Sequence, residues 1–408
     1  MSQPVRFQFS SEAVGRGHPD KIGDQISDAL LDKCLEEDPL CKTAIEVAVG
    51  RGFVLVFGTL TARVERVDVV ETVREVLRDI GYIDLTMDIH CDTCEVIDRV
   101  ERCIPSRLLS PEGPPTSLRD VPAGDQGMTF GYATDETSSL LPLTVLLAHN
   151  ITKALDAAKR SGELPWVRSD TKAQVTVEYE SEGGHLTPRR ITDVAVTLQH
   201  DRTVSVGTLR TEIRDRILGR VLPADLIDGS TKYRIQPCGD YGIVPSGKFA
   251  GMTGRKIVAD TYGGWGSHGG GALSGKDFRQ VDRTGAYLSR WIAKSLVAAG
   301  FASRCSVQLA WCADDPCPIS LSIDTYGTGK RPSAELEEMV RQHFDMRPGA
   351  LALEFGLNKP IFMKISRHGH FGDRSLPWEK PKCFSGWLTA IDSHGVATQI
   401  SALQSPSG

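Results

Sequence analysis

The chain predicts an α+β fold, and three features carry that reading. Residues 47–61, 174–179, 191–199 and 306–311 have the β-branched, alternating character of strands, whereas residues 21–35, 67–80, 141–157 and 284–299 repeat apolar positions at a helical period. The two kinds of segment do not follow the regular strand–helix–strand rhythm of a doubly wound parallel sheet. A length of 408 residues with a hydrophobic fraction of 40% allows two or three domains and a substantial core.

The first segment, residues 11–22, packs a turn, a histidine, an acid and a base into one polar cluster and reads as a site rather than a fold element. Gly15 and Gly17 permit close backbone approach, Pro19 stiffens the turn, His18 and Lys21 can donate to phosphoryl oxygens, and Asp20 can ligate a hard cation. The same residues also read as a plain loop ahead of a helix, because Ile22, Ile26, Leu30 and Leu31 set an apolar period; in that reading Asp20 is a helix N-terminal cap. The segment does not stand alone. Gly124-Asp125-Gln126-Gly127, Gly254-Arg255-Lys256, Gly269-Gly270-Gly271 and Ser274-Gly275-Lys276-Asp277 use the same grammar of glycine followed by cation or carboxylate, which suits a polyanion and its metal.

Between these motifs, residues 104–121 are rich in Pro, Ser and Gly and read as a mobile loop positioned as a lid. Residues 262–275 are so dense in glycine that ordering them calls for a ligand or partner surface. Cys91 and Cys94, flanked by His90, form a Cys-x-x-Cys without a second ligand pair at zinc spacing, and Cys305, Cys312 and Cys317 read as packing residues around a strand. The ten cysteines read as free thiols. A net charge of -5 and a pI near 6.1 argue against general nucleic-acid binding. No apolar run of about twenty residues is present and residues 1–10 lack the apolar core of a signal peptide, so the expectation is a cytoplasmic enzyme without a membrane segment.

Taken together, the motifs resemble one family over nearly the whole chain, the S-adenosylmethionine synthetases or methionine adenosyltransferases. Gly17-His18-Pro19-Asp20-Lys21-Ile22 with Asp24-Gln25-Ile26-Ser27-Asp28 is similar to its opening motif, and Gly124-Asp125-Gln126-Gly127 with Phe130-Gly131-Tyr132-Ala133-Thr134 is similar to a second signature. Gly254-Arg255-Lys256, Asp260-Thr261-Tyr262-Gly263-Gly264 and the run from His268 to Asp277 resemble its glycine-rich nucleotide region, and Gly369-His370-Phe371-Gly372 with Pro377-Trp378-Glu379-Lys380 follows its tail.

The resemblance implies a three-domain fold with pseudo-threefold repeats and discontinuous domains: residues 1–14 with 136–245, 15–110 with 246–284, and 111–135 with 285–408, residues 104–121 forming the lid. It implies homodimers or homotetramers with active sites shared between subunits. It also implies the reaction: a thioether attacks C5′ of ATP, triphosphate leaves, and triphosphate is hydrolysed to pyrophosphate and phosphate with Mg2+ and K+ as cofactors. By the same resemblance His18, Lys172, Arg255, Lys256 and Lys276 hold the phosphate chain, Asp20 and Asp282 carry magnesium, and Glu46 is the potassium ligand. Glu12, Lys21 and Asp170 lie at the nucleotide, Tyr241 stacks on adenine, and Asp125 stands beside the reacting carbon.

Four positions depart from the family together. Thr59 stands where the family has glutamate, Leu109 where it has glutamine, Phe249 where it has aspartate and Gln280 where it has lysine, all around the amino acid substrate. Their joint change leaves open an orthodox synthetase with an altered pocket, an adenosyltransferase for another small nucleophile, a tripolyphosphatase without alkyl transfer, and a nucleotide-binding regulatory subunit. Losing an ionic partner to a buried ammonium costs several kcal/mol, which is why these positions bear on substrate choice.

Overall fold

The computed structural model describes residues 4–61, 67–103, 117–237, 239 and 249–384. Three sheets organise them, each with a long helix against one face. In the first, β1 (Val5–Val14) pairs antiparallel with β6 (Val167–Glu182), β6 pairs antiparallel with β7 (His185–His200), and β8 (Lys232–Ile235) adds parallel to β7. In the second, the order is β4 (Glu95–Cys103), β3 (Phe53–Thr61), β2 (Lys42–Gly50) and β9 (Ala250–Met252). The third has β11 (Ser320–Asp324), β10 (Arg304–Trp311) and β5 (Gly127–Thr134), all antiparallel. The fold is therefore α+β, with sheets assembled from segments distant in sequence.

Helix α1 (Pro19–Glu37) packs on β2 and β9, and α2 (Val69–Ile80) packs on α1 and β4; α3 (Leu143–Arg160) packs on β6 and β1. Short helices α4 (Val206–Glu212) and α5 (Gly219–Val221) flank a π-helical stretch beside the first sheet. Helix α6 (Val281–Ala298) packs on β5 and β10, followed by α7 (Ser333–His343), α8 (Pro348–Phe355) and α9 (Phe362–Ile365). One apolar core fills the first unit around Ile151, Val175 and Val194, and a second runs continuously beneath the other two sheets from Ile22 and Val47 to Leu288 and Val307.

Two segments differ from their sequence reading. Residues 47–61 are not one strand: the run breaks at Arg51-Gly52, where Gly52 takes φ +74°, and β2 turns back on β3. Apolar residues on both sides of a tight turn give no periodic sign of it. Residues 11–22 are not one loop either. Ser11 to Val14 complete β1, Pro19 to Ile22 begin α1, and only residues 15–18 are irregular. Among the cysteines, Cys305 is buried as a packing residue, but Cys312 and Cys317 are exposed because they lie beyond the strand. All nine described cysteines are free thiols.

Helix α1 is the spine of the second unit. His18 is its N-cap and Pro19 fills the first turn, where a missing N–H costs nothing. Aspartates recur every fourth residue at 20, 24, 28 and 32, and each meets a different return of the chain. Asp20 Oδ1 accepts from the Met252 N–H at 3.0 Å and Asp24 Oδ1 from the Gly254 N–H at 2.8 Å. Asp28 accepts from the Gly275 N–H at 2.8 Å and forms a two-pronged pair with Arg283 at 2.7 Å, both side chains fully buried. Asp32 accepts from the N–H groups of Phe362 and Met363 at 2.9 and 2.8 Å. Residues four apart on a helix share a face, so the row acts as a ladder that stitches residues 252–283 and 362–363 to the helix. The tail is fixed similarly: buried Glu379 receives Arg290 at 2.8 Å and Lys294 at 2.5 Å from α6.

Candidate active site

Residues 15–18 lie flat on β6, the Gly15 N–H donating to Thr171 O at 2.7 Å and the Gly17 N–H to Ser169 O at 3.1 Å. A Cβ on Gly15 would fall 2.2 Å from Thr171 Oγ1, and one on Gly17 would fall 2.3 Å from Ser169 Cβ, so both positions require glycine. From below, the Tyr82 hydroxyl donates to Gly17 O at 2.5 Å, and Tyr82 in turn meets the edge of buried Phe249 at 6.0 Å between ring centres. Arg16 turns inward and pairs with Asp79, which also takes Arg367 at 3.0 Å.

This cradle fixes His18. Its Nδ1 accepts the Asp20 N–H at 3.2 Å, leaving the ring proton on Nε2. Burial, reinforced by Lys256 and only partly opposed by Asp20, lowers its pKa from 6.5 to about 4. The ring is thus a neutral donor at physiological pH. Asp20 is not the cap but sits one residue inside α1, with Lys256 Nζ 2.5 Å from its Oδ2 and Arg255 Nε 3.9 Å from its Oδ1. Across the strand pair, Lys172 lies within β6 rather than at its end and meets Glu12 at 2.6 Å, both side chains near half exposed. Asp170 lies near Asp20, and burial, with Asp88 and Asp20, lifts its pKa to about 7.

Lys21, expected beside the nucleotide, instead points into the interior. It is 1% exposed, with its ammonium 2.9 Å from Asp24 and 2.6 Å from Asp260. Burial works against its charge, but the two carboxylates outweigh that and raise its pKa. One residue after Asp20, helical rotation carries the side chain from the site to the core.

A second cluster forms where residues 269–271, 276–282 and β2 meet. Lys276 Nζ lies 2.5 Å from Asp282 Oδ2 in the first turn of α6. Gly271 lies against the same carboxylate, since a Cβ there would fall 2.1 Å from Asp282 Cγ. Lys276 bridges to Ala44 of β2, two residues before Glu46. Glu46 is half-buried, with burial raising its pKa against the pull of Lys276, and among the described residues it makes no hydrogen bond or ion pair. Asp125 is exposed, and its neighbour Gly124 is tied to Arg279 O at 2.9 Å, which brings it to the start of α6. Gln280 is the N-cap of α6 with no side-chain cap bond, and Thr59 is exposed on β3. Leu109 and Tyr241 lie outside the described residues. Among the described residues, no hydrogen bond or ion pair directly joins this cluster to the one around His18.

Sequence reading quoted Asp24, Asp28 and Asp260 only as motif members without a role and passed over Asp79; all four brace the site without forming it. The four-residue spacing of aspartates in α1 is the signal that finds two of them. His90, Cys91 and Asp92 bring ligand atoms within 4.8 Å of one another, but His90 already uses Nε2 on Ile83 O and Nδ1 on the Asp92 N–H, and Asp92 pairs with Arg78 at 2.9 Å.

Three family models match in series: the S-adenosylmethionine synthetase N-terminal domain over residues 6–105, the central domain over 120–241 and the C-terminal domain over 245–380. The chain belongs to the S-adenosylmethionine synthetase family. It is 42% identical over 381 residues to the S-adenosylmethionine synthase of Clostridium botulinum (strain Alaska E43 / Type E3), covering 91% of this chain and 96% of that one. It is likewise 42% identical over 385 residues to the S-adenosylmethionine synthase of Desulforudis audaxviator (strain MP104C), covering 92% and 96%. Membership of this synthetase family makes the chain an enzyme of the methionine adenosyltransferase kind. Among the described residues no helix is long and apolar enough to cross a membrane.

Proposed function

We propose that the chain joins ATP to the thioether sulfur of methionine and then hydrolyses the released triphosphate. A sulfur lone pair forms the bond to C5′, the C5′–O bond breaks, and the electron pair leaves with triphosphate. Water then splits triphosphate into pyrophosphate and phosphate. A neutral thioether needs no general base, so the barrier falls on stabilising the leaving anion. The observation that carries this reading is the neutral His18 imidazole, its Nε2 free to donate, held beside Asp20 and near Lys256 and Lys172. A neutral donor surrounded by cations suits an oxygen on which charge develops.

The remaining residues take their roles around it. Lys172, Arg255, Lys256 and Lys276 hold the phosphates, Glu12 and Asp170 contact the nucleoside, and Asp125 faces the developing sulfonium. The donor set fits hard cations. Asp20 and Asp282 are carboxylates held by cations that a phosphate chain would draw away, and half-buried Glu46 makes no hydrogen bond or ion pair among the described residues. Asp20 and Asp282 would hold magnesium and Glu46 potassium; a divalent cation there neutralises charge on the phosphates. Methionine remains the nucleophile because the relatives carry the synthase name, with Thr59, Leu109, Phe249 and Gln280 shaping a less charged pocket.

Among the described residues no hydrogen bond or ion pair joins the Lys256–Asp20 cluster to the Lys276–Asp282 cluster, which favours a site completed by a second copy, in a homodimer or homotetramer. The outward face of the second sheet fits such a partner. Register places Met252, Ala48, Leu55 and Ile97 in one apolar row across all four strands, with Glu46 and Phe57 in the next row of that face and Thr59 in the one after. Phe53 and Met252 are 38% and 41% exposed there. The same reading divides the chain into residues 1–14 with 136–245, 15–110 with 246–284 and 111–135 with 285–408, one sheet to each.

Incubation with ATP, magnesium, potassium and methionine, followed by mass spectrometry of S-adenosylmethionine and assay of pyrophosphate and phosphate, tests the reading. Formation of all three products upholds it. Phosphate release without the sulfonium product excludes methionine as the nucleophile.

A further inference from the structure

His268 takes no part in the roles assigned above, yet its setting is that of a ligand contact. Its Nδ1 accepts the N–H of Gly270 at 2.9 Å, so its own main chain fixes both the ring orientation and the tautomer, with the proton on Nε2. That Nε2 is buried and has no hydrogen-bond partner among the described residues. An unmet buried donor of this kind costs about 1–3 kcal/mol and calls for a reason. The ring borders a cavity of about 10 Å³ together with Asp282, Thr129 and Thr261, on the same glycine run whose Gly271 lies against the Asp282 carboxylate.

We propose that His268 is a further substrate-contacting residue, a neutral imidazole that donates Nε2–H to a non-bridging oxygen of the polyphosphate chain beside Asp282. The proposal rests on the adenosyltransferase reading for the presence of triphosphate. Two local features select an oxyanion over other ligands. The ring offers a donor and no acceptor on its free side, and Lys276 stands across Asp282 at 2.5 Å as a fixed cation. The donor adds no charge, so it contributes without competing with the lysine for the carboxylate. His18 and His268 then serve as two neutral donors from separate glycine loops, one on each cluster.

The test compares the full-length protein with His268→Ala and His268→Gln, in magnesium and potassium, on added inorganic tripolyphosphate and on ATP with methionine. Removal of the donor is expected to lower kcat/KM for tripolyphosphate by about 10-fold or more, while Gln, which keeps an N–H, recovers most of it. Thermal unfolding of the Ala variant stays at the parent temperature if the contact is with ligand. Unchanged tripolyphosphate kinetics in His268→Ala overturn the proposal, as does a loss that follows lowered stability and that Gln does not restore. Should the parent protein form no adenosyl product and split no tripolyphosphate, the functional reading fails instead. Calorimetric binding of tripolyphosphate to parent and His268→Ala then decides the contact separately: weaker binding by the variant upholds it and equal binding overturns it.

Discussion

His18 shows how a single side chain acquires its chemistry from its surroundings. An ordinary histidine would be partly protonated near pH 6.5, but burial among cations moves this one to about 4. The unfolded chain therefore takes up the proton first as pH falls, and the stability this site has at neutral pH is lost between about 6.5 and about 4. We expect kcat/KM for ATP to show no limb near 6.5 attributable to His18; such a limb in the parent, absent from His18→Gln, would sink the assignment. Truncation to alanine removes one donor from the leaving oxygen and should cost about 100-fold in kcat. Product assay with the unfolding temperature as control checks it. Phe249 makes the opposite case. Its position was legible as a departure from the family, but its burial against Tyr82 was not, because contact between residues 249 and 82 has no trace in linear spacing. Phe249→Asp would bury an unpaired carboxylate beneath the His18 loop. It should lower stability by several kcal/mol before any effect on substrate choice can be read, and denaturant unfolding measures it.

At the scale of elements, periodicity showed the four long helices α1, α2, α3 and α6, and alternation showed β6, β7, β10 and the run that holds β2 and β3. It failed at Arg51-Gly52, where a tight turn interrupts an apolar run. It also missed β1 altogether, a strand that pairing with β6 defines more than its composition does. The groups proposed above for catalysis stand mostly in or beside glycine motifs, which is what marked them. The carboxylates that brace them were not, since a buried aspartate looks like a surface one until its partner is known. The Asp28–Arg283 pair is the sharpest instance, with both side chains fully buried. Asp28→Ala would strand a buried guanidinium at a cost of about 3–5 kcal/mol, whereas the double change Asp28→Leu with Arg283→Leu should recover part of that. Denaturant midpoints of the two variants decide it, and equal losses would contradict the pairing argument.

Over the whole molecule, the apolar row on the second sheet and the division of site residues into two clusters belong together. A partner covering Ala48, Leu55 and Ile97 would bury the row and bring Glu46 and Thr59 against its own surface. Leu55→Arg should therefore shift the protein toward monomer in size-exclusion chromatography and remove activity in the same step, while leaving circular dichroism unchanged. A fully active monomer would show that one chain carries a complete site. The aspartate ladder on α1 has a consequence in time as well as in space. A ribosome delivers α1 before most of its partners: Asp24 has Lys21 in its own helix, but the main-chain donors to Asp20 and Asp24 lie past residue 250, the partners of Asp28 at 275 and 283, and those of Asp32 at 362 and 363. Until those segments emerge, burying the row of carboxylates would be penalised, so the helix is expected to stay solvated. The central unit is then expected to close fully only once residues 362 and 363, the partners of Asp32, have been made.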